Sequence, residues 1–145
     1  MKVADVIGLR KEVFSIPDTA TVHDTARYLR EKAVRAVGVT NAAGKLIGVV
    51  SQADISDQVA AENKCPAWMR VSEIMSTDLI TVQPETPLEE AIRLMDKHGF
   101  YHLLIMDEKA NRFMGMISVQ DLLKVIAQDE KARADMLESY IYPQR

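Results

Sequence analysis

A seven-residue phrase occurs twice in this chain. Gly48-Val49-Val50-Ser51-Gln52-Ala53-Asp54 returns as Gly115-Met116-Ile117-Ser118-Val119-Gln120-Asp121, 67 positions later. Each copy holds Gly, two apolar residues, Ser, two spacers and Asp. Each follows an apolar run and opens a helical stretch. A repeat of this period constrains the fold strongly, because one supersecondary unit has to form twice.

The flanks repeat as well. With Ser15 placed over Thr81, Val22 meets Leu88, Ala26 meets Ile92 and Leu29 meets Met95. That spacing predicts amphipathic helices over 22–33 and 87–98. The apolar runs 34–40 and 100–106 predict buried strands, with Val37 and Val39 over Leu103 and Ile105. Turn-rich segments 41–44 and 107–112 come next, then second strands over 46–50 and 113–117 and closing helices over 52–62 and 119–130. Short extended pieces, 13–16 and 79–82, precede the first helices.

Each copy therefore reads β-α-β-β-α, and the chain is α+β, α/β-like in its alternation. Repeat 1 spans 1–62, a linker broken by Pro66 spans 63–70, repeat 2 spans 71–130 and a helical tail spans 131–145. In the tail, Met136, Leu137, Tyr140 and Ile141 form an apolar stripe that Pro143 ends. One such unit exposes an apolar sheet face. Two are expected to pack those faces about a pseudo-twofold axis and leave a cleft where equivalent corners meet.

Bulk composition narrows the function classes. At 145 residues, 48% hydrophobic and 27% charged, the chain is an ordinary globular one. A net charge of -3 without a basic cluster argues against nucleic acid. The single cysteine, Cys65, excludes an internal disulfide and fits a reducing compartment. No apolar run approaches the ~20 residues that span a bilayer. The opening Met1-Lys2-Val3-Ala4-Asp5 does not read as a signal peptide, so a cytoplasmic protein away from membranes is expected.

The pattern resembles a tandem pair of cystathionine-beta-synthase (CBS) domains, a Bateman module. The likeness rests on Gly48-x-x-Ser51-x-x-Asp54 and Gly115-x-x-Ser118-x-x-Asp121. It rests also on Val71-Ser72-Glu73-Ile74-Met75 leading into Leu79-Ile80-Thr81-Val82-Gln83-Pro84, and on His102-Leu103-Leu104-Ile105-Met106-Asp107. It covers residues 3 to 127. The resemblance implies a non-enzymatic regulatory module for adenosine-containing ligands: AMP, ADP, ATP, NAD or S-adenosylmethionine. These are regulatory ligands rather than catalytic cofactors. It also implies pairing into homodimers and a protein effector that reads the ligand state.

The residues suit such a ligand. A ribose offers two adjacent hydroxyl donors, and the carboxylates of Asp54 and Asp121 can accept both. Ser51 and Ser118 lie on the same side of the helix starts. Free N–H groups of a first helical turn favour an anion there. Ser15 and Thr81 approach from the opposite wall. Main-chain groups of Ile80, Thr81 and Val82, and of Tyr101, His102 and Leu103, can read an adenine edge. Ile16, Arg35, Ala36 and Val37 hold the matching places in the first copy. Gly48 and Gly115 would let a ring approach closely.

The same phrase also reads as a capping box, in which Ser accepts from a backbone N–H and the acid reaches back. On that reading both corners only start helices, and the chain is a structural dimerisation module without a physiological ligand.

The corners differ. Three residues past the Asp stand Asp57 in copy one and Lys124 in copy two, and the family often has a basic residue there. Lys124 attracts phosphate where Asp57 repels it, so the Ser118/Asp121 corner is expected to be the better nucleotide site. The family's mid-strand Pro is Gly38 and Leu104 here. His23, His98 and His102 are too scattered to form a metal set, though His102 sits beside the expected cleft. The eight methionines suggest an adaptable core, and Trp68 is expected to pack over a half-domain or a dimer seam. No Gly-x-Gly-x-x-Gly, P-loop or nucleophile–base set points to an enzyme.

Overall fold

A computed structural model of the protein describes residues 1–7, 13–128, 134, 135, 137 and 138. Of the expected tail stripe, Met136, Tyr140, Ile141 and Pro143 lie outside the described residues.

The first copy builds β1 (Ser15–Pro17), α2 (Val22–Lys32), β2 (Ala36–Thr40), β3 (Leu46–Ser51) and α3 (Gln52–Ile55), while α1 (Val3–Ile7) precedes them. The second builds β4 (Thr81–Val82), α4 (Leu88–His98), β5 (His102–Asp107), β6 (Arg112–Ser118) and α5 (Val119–Gln128). Each sheet has three strands, ordered β1-β2-β3 and β4-β5-β6. The outer opening strand runs parallel to the middle one, and the third strand returns antiparallel. The two registers match: Ser15 pairs with Gly38 and Thr81 with Leu104. Both hairpins slip at the same place, between Val39 and Thr40 and between Ile105 and Met106.

Local chemistry explains the helix ends. Thr21 caps α2 by accepting from the Asp24 amide at 3.0 Å. Ala33 closes that helix in the left-handed region at φ 54, and Gly99 closes α4 at φ 68. Val22, Thr25 and Leu29 point from α2 into one core; Leu88, Ala91, Ile92 and Met95 point from α4 into the other. The buried Thr25 hydroxyl donates to the Thr21 carbonyl at 2.8 Å, so its burial leaves no orphan donor.

The closing helices are unequal. A continuous helix over 52–62 is expected, but after Ile55 the chain widens into a π-turn, Ser56–Ala60, where Ala61 N–H reaches back to Ser56 O at 2.8 Å. There the Gln58 amide donates to Ile74 O at 3.1 Å and Val59 is buried. In the second copy α5 stays α-helical through Gln128.

The described residues form two compact units whose limits differ from those of the repeats. One is Phe14–Leu79; the other joins the described residues of Met1–Val13 to those of Ile80–Arg145. Val3 and Val6 lie in the core that holds Val82, Leu88, Leu103, Ile105 and Ile117. Val71 and Ile74 lie in the core that holds Ile16, Val22, Val37, Val39 and Val50.

The two lead-in segments are held alike. Val3 N–H donates to Thr86 O and Leu88 N–H to Met1 O, while Val71 N–H donates to Ala20 O and Val22 N–H to Met69 O. Lys2 pairs with Pro87 as Arg70 pairs with Thr21. Asp5 accepts from the Lys2 amide and Glu73 from the Arg70 amide, each at 2.7 Å. Each copy's lead-in is thus a core element of the unit that carries the other copy's sheet.

The stretch read as a linker is structured. Pro66–Trp68 forms a 3-10 turn, followed by the Met69–Val71 bonds to the start of α2. The expected packing of Trp68 over its own half-domain does not occur, since its side chain is 87% exposed. A 3-10 turn begun by Pro66 aims the ring outward while Met69 takes the place against the core. Met75, Met95 and Met114 also pack in or against the cores.

Candidate functional site

Both corners form where the third strand turns into a helix. At the first, Asp54 Oδ2 accepts from the Ser51 amide at 2.8 Å and from the Ser51 hydroxyl at 3.0 Å, while Asp54 N–H donates to Ser51 Oγ at 3.2 Å. At the second, Asp121 Oδ2 accepts from the Ser118 amide at 2.8 Å and hydroxyl at 2.9 Å, and Asp121 N–H donates to Ser118 Oγ at 3.2 Å. Each is a complete reciprocal capping box. The phrase seen in the sequence therefore has a structural task at both places.

A second clamp repeats as well. Gln52 N–H donates to Arg35 O at 2.9 Å, and Val119 N–H donates to Tyr101 O at 3.1 Å. Two amides of each first turn thus have partners already, which leaves fewer donors for an anion than the sequence suggests. The main chain of the opening strands is also engaged: Gly38 N–H donates to Phe14 O at 3.2 Å and Leu104 N–H to Ile80 O at 3.1 Å. A proline at position 38 or 104 would remove that donor.

The candidate residues fall into two groups. Ile16, Ala36, Val37, Val82 and Leu103 are buried, so only their main-chain groups remain for a ligand. Ser15, Ile80, His102, Ser51, Asp54, Ser118 and Asp121 are half-buried, and Thr81, Arg35, Tyr101 and Lys124 are exposed. Across the strand pairs, Ser118 stands opposite His102, whereas Ser51 stands opposite Ala36. The second corner therefore carries an imidazole where the first carries a methyl group. At the outer edge it has Tyr101, 75% exposed, where the first has Arg35.

The equal offsets of Asp57 and Lys124 do not correspond to equal geometry. Lys124 lies one α-turn past Asp121, whereas Asp57 lies inside the π-turn. The glycines differ too. A Cβ on Gly48 would fall 2.5 Å from Met75 Sδ, so a methionine side chain takes the space expected for a ring. Gly115 has φ +129, and a Cβ there would meet nothing within 4 Å. The sequence reading missed the Met75 contact and the bond from Gln58 to Ile74. The only sequence signal for the former was a small residue in a strand otherwise made of large ones.

Among the described residues no group of three or more His, Cys, Asp or Glu side chains gathers as a metal set. His23 and His98 are exposed and Cys65 is an exposed free thiol. No helix of the described residues is long and apolar enough to cross a membrane.

Comparison with known proteins matches this geometry to a family. The family description "CBS domain" fits residues 3–61 and again 71–128. An uncharacterized protein of Methanocaldococcus jannaschii is 33% identical over 127 residues, covering 88% of this chain and 40% of that protein. This chain spans 24–59% of the length of three curated relatives. A putative signal-transduction protein with CBS domains from Burkholderia ambifaria superposes with a TM-score of 0.82 at 25% identity, over 90% of this chain and 96% of that one. A CBS domain protein from Pyrobaculum aerophilum, solved in complex with AMP, gives 0.76 at 23% identity, over 89% and 100%. With both repeats matched, this chain belongs to the CBS domain family.

Proposed function

We propose that this chain is a regulatory, non-catalytic module that binds an adenosine-containing ligand, AMP, ADP, ATP, NAD or S-adenosylmethionine, at its Ser/Asp corners. The observation that carries the reading is that both corners present one aspartate in one geometry. A carboxylate has roughly four acceptor sites, and each capping box draws on two of them, both on Oδ2. A ribose diol, with two adjacent hydroxyl donors, is a ligand that a carboxylate in this position suits. The Pyrobaculum protein solved with AMP, and a CBS domain pair solved with 5′-methylthioadenosine and S-adenosyl-L-methionine, have the same fold.

The Ser118/Asp121 corner is the preferred site in this reading. Lys124 supplies a cation one turn beyond the aspartate, His102 flanks Ser118, and Gly115 is uncovered. Ligand would bias one of two arrangements of the module, and an effector protein would read the bias. The module works in the cytoplasm as a homodimer, with neither nucleic acid nor membrane as partner.

A second reading has its own observation. The capping boxes are complete without any ligand, as expected of a structural dimerisation module. Thermal unfolding separates the two. At 100 times its Kd a ligand specific for the folded state adds ~2.7 kcal/mol, which raises the midpoint by roughly 5–10 °C. A midpoint unmoved by AMP, ATP, NAD and S-adenosylmethionine would leave the structural reading standing.

A further inference from the structure

We infer that the seat of α1 is a docking site for a partner segment of the pattern Val-x-acid-β-branched, which replaces Val3–Ile7 there. The inference gives the effector proposed above a surface, and it does not depend on which ligand the corners bind. It starts from two segments of this chain that dock in one manner. Lys2-Val3-Ala4-Asp5-Val6 and Arg70-Val71-Ser72-Glu73-Ile74 share only the valine. Yet Val3 and Val71 are fully buried, Val6 and Ile74 are buried, and Asp5 and Glu73 each accept the amide of the basic residue at 2.7 Å. Such a seat reads a pattern rather than one sequence. It takes two apolar side chains three residues apart, on a segment whose own carboxylate folds its start into a turn.

The seat of α1 lies within one unit. Main-chain groups supply its polar part: Val3 N–H donates to Thr86 O at 2.9 Å, Ala4 N–H to Pro84 O at 2.8 Å, and Leu88 N–H to Met1 O at 3.1 Å. Leu88, Ile117 and Leu122 belong to the core that takes the two valines, and β6 and α5 adjoin α1. Main-chain bonds for affinity and apolar pockets for selectivity are the means by which short peptides are recognised.

Of the two lead-in segments, α1 is the one that can give way. The other is pinned by a side chain: Gln58, four residues past Asp54, donates its amide to Ile74 O at 3.1 Å. Four residues past Asp121 stands Val125, whose side chain has no donor to give. Val71 and Ile74 also lie inside the continuous run Phe14–Leu79 that forms their unit, whereas α1 joins a unit whose second part starts at Ile80. α1 is therefore held as a tethered peptide is, by main-chain bonds and two valines. A tethered segment competes at an effective concentration on the order of millimolar. A partner segment of the same pattern overcomes that competition when it brings further contacts of its own.

The experiment is amide hydrogen exchange on the full chain, read residue by residue. The probe is a peptide of the sequence Met69-Arg70-Val71-Ser72-Glu73-Ile74-Met75, added at millimolar concentration. Val3 and Ala4 should lose protection as it is added. Leu88 should keep its protection, because a carbonyl of the peptide takes the place of Met1 O, and Val71 should be unchanged. A control peptide with Val71→Asp and Ile74→Asp should do nothing. Val3→Ala in the chain weakens the competitor and should raise the apparent affinity for the probe about tenfold. The wild-type chain decides alone if Val3→Ala does not fold. Unchanged protection at Val3 and Ala4 would overturn the inference, as would equal action of the two peptides. So would a joint loss at Val3, Ala4 and Leu88, which marks unfolding of the unit rather than replacement. Each of these failures leaves the nucleotide reading standing, since the thermal midpoint tests that separately.

Discussion

Met75 lies against Gly48 so closely that a single added methyl group would overlap its thioether, with Cβ to Sδ at 2.5 Å and Cβ to Cγ at 2.9 Å. The glycine of the repeated phrase is thus a packing requirement in the first copy. Gly48→Ala should destabilise the protein by about 1–3 kcal/mol, the usual cost of overpacking. Denaturant unfolding in a Met75→Ala background should show a smaller penalty, because the overlapping atoms are gone. Equal penalties in both backgrounds would dismiss the contact.

Gly115 tests the opposite case. It has open space but φ +129, so Gly115→Ala should cost about 1–3 kcal/mol through backbone strain alone. That loss should be the same with Met75 present or truncated.

The two aspartates have one shared role and one proposed unshared role. Asp54→Ala and Asp121→Ala each remove a capping box and should each lower stability by about 0.5–2 kcal/mol. Calorimetric titration with AMP should separate them, with the larger affinity loss at Asp121→Ala. Equal losses, or a larger one at Asp54, would sink the preference for the second corner.

Charge at the helix faces should tune that affinity mildly. Lys124→Glu should weaken ATP binding about twofold to fivefold and leave adenosine unchanged, because exposed pairs contribute little. Raising the salt concentration should shrink the difference. An equal effect on adenosine would remove Lys124 from the phosphate role.

The lead-in segments predict a crossed pattern of damage. Val3→Ala deletes apolar volume from the core around Leu103 and Ile105, and Val71→Ala from the core around Val37 and Val50. Each should cost about 1–3 kcal/mol. Hydrogen exchange should quicken in β5 and β6 for the first variant and in β2 and β3 for the second. Damage confined to the variant's own repeat would contradict the core assignment.

These features were unequally legible in the sequence. The helices from Val22 and Leu88 and the strand pairs could be read because their apolar spacing is local. The capping boxes were visible as Ser-x-x-Asp. The destination of Val3 and Val71 was not visible. Lys2-Val3-Ala4-Asp5-Val6 and Arg70-Val71-Ser72-Glu73-Ile74 carry the same pattern and take equivalent bonds, so nothing local says which sheet either seats on. The π-turn was hidden for a related reason. Within it Gln58 bonds to the distant Ile74 and Val59 shares a core with it, contacts that are not local, and hydrophobic periodicity around 52–62 reads as a plain helix. Of the two places expected for Trp68, the half-domain is the one its exposure removes, because an aromatic residue in sequence carries no mark of which way its turn will aim it.

The crossed lead-in segments also bear on how such a chain can be divided or inherited. A cut between residues 62 and 71 would carry Val71 and Ile74 away from the core they complete and strand Val3 and Val6 with the wrong fragment. Neither product would be a finished half. A duplication that settled into this arrangement therefore made its two copies obligate partners, and a lesion in one lead-in is suffered by the sheet of its sibling.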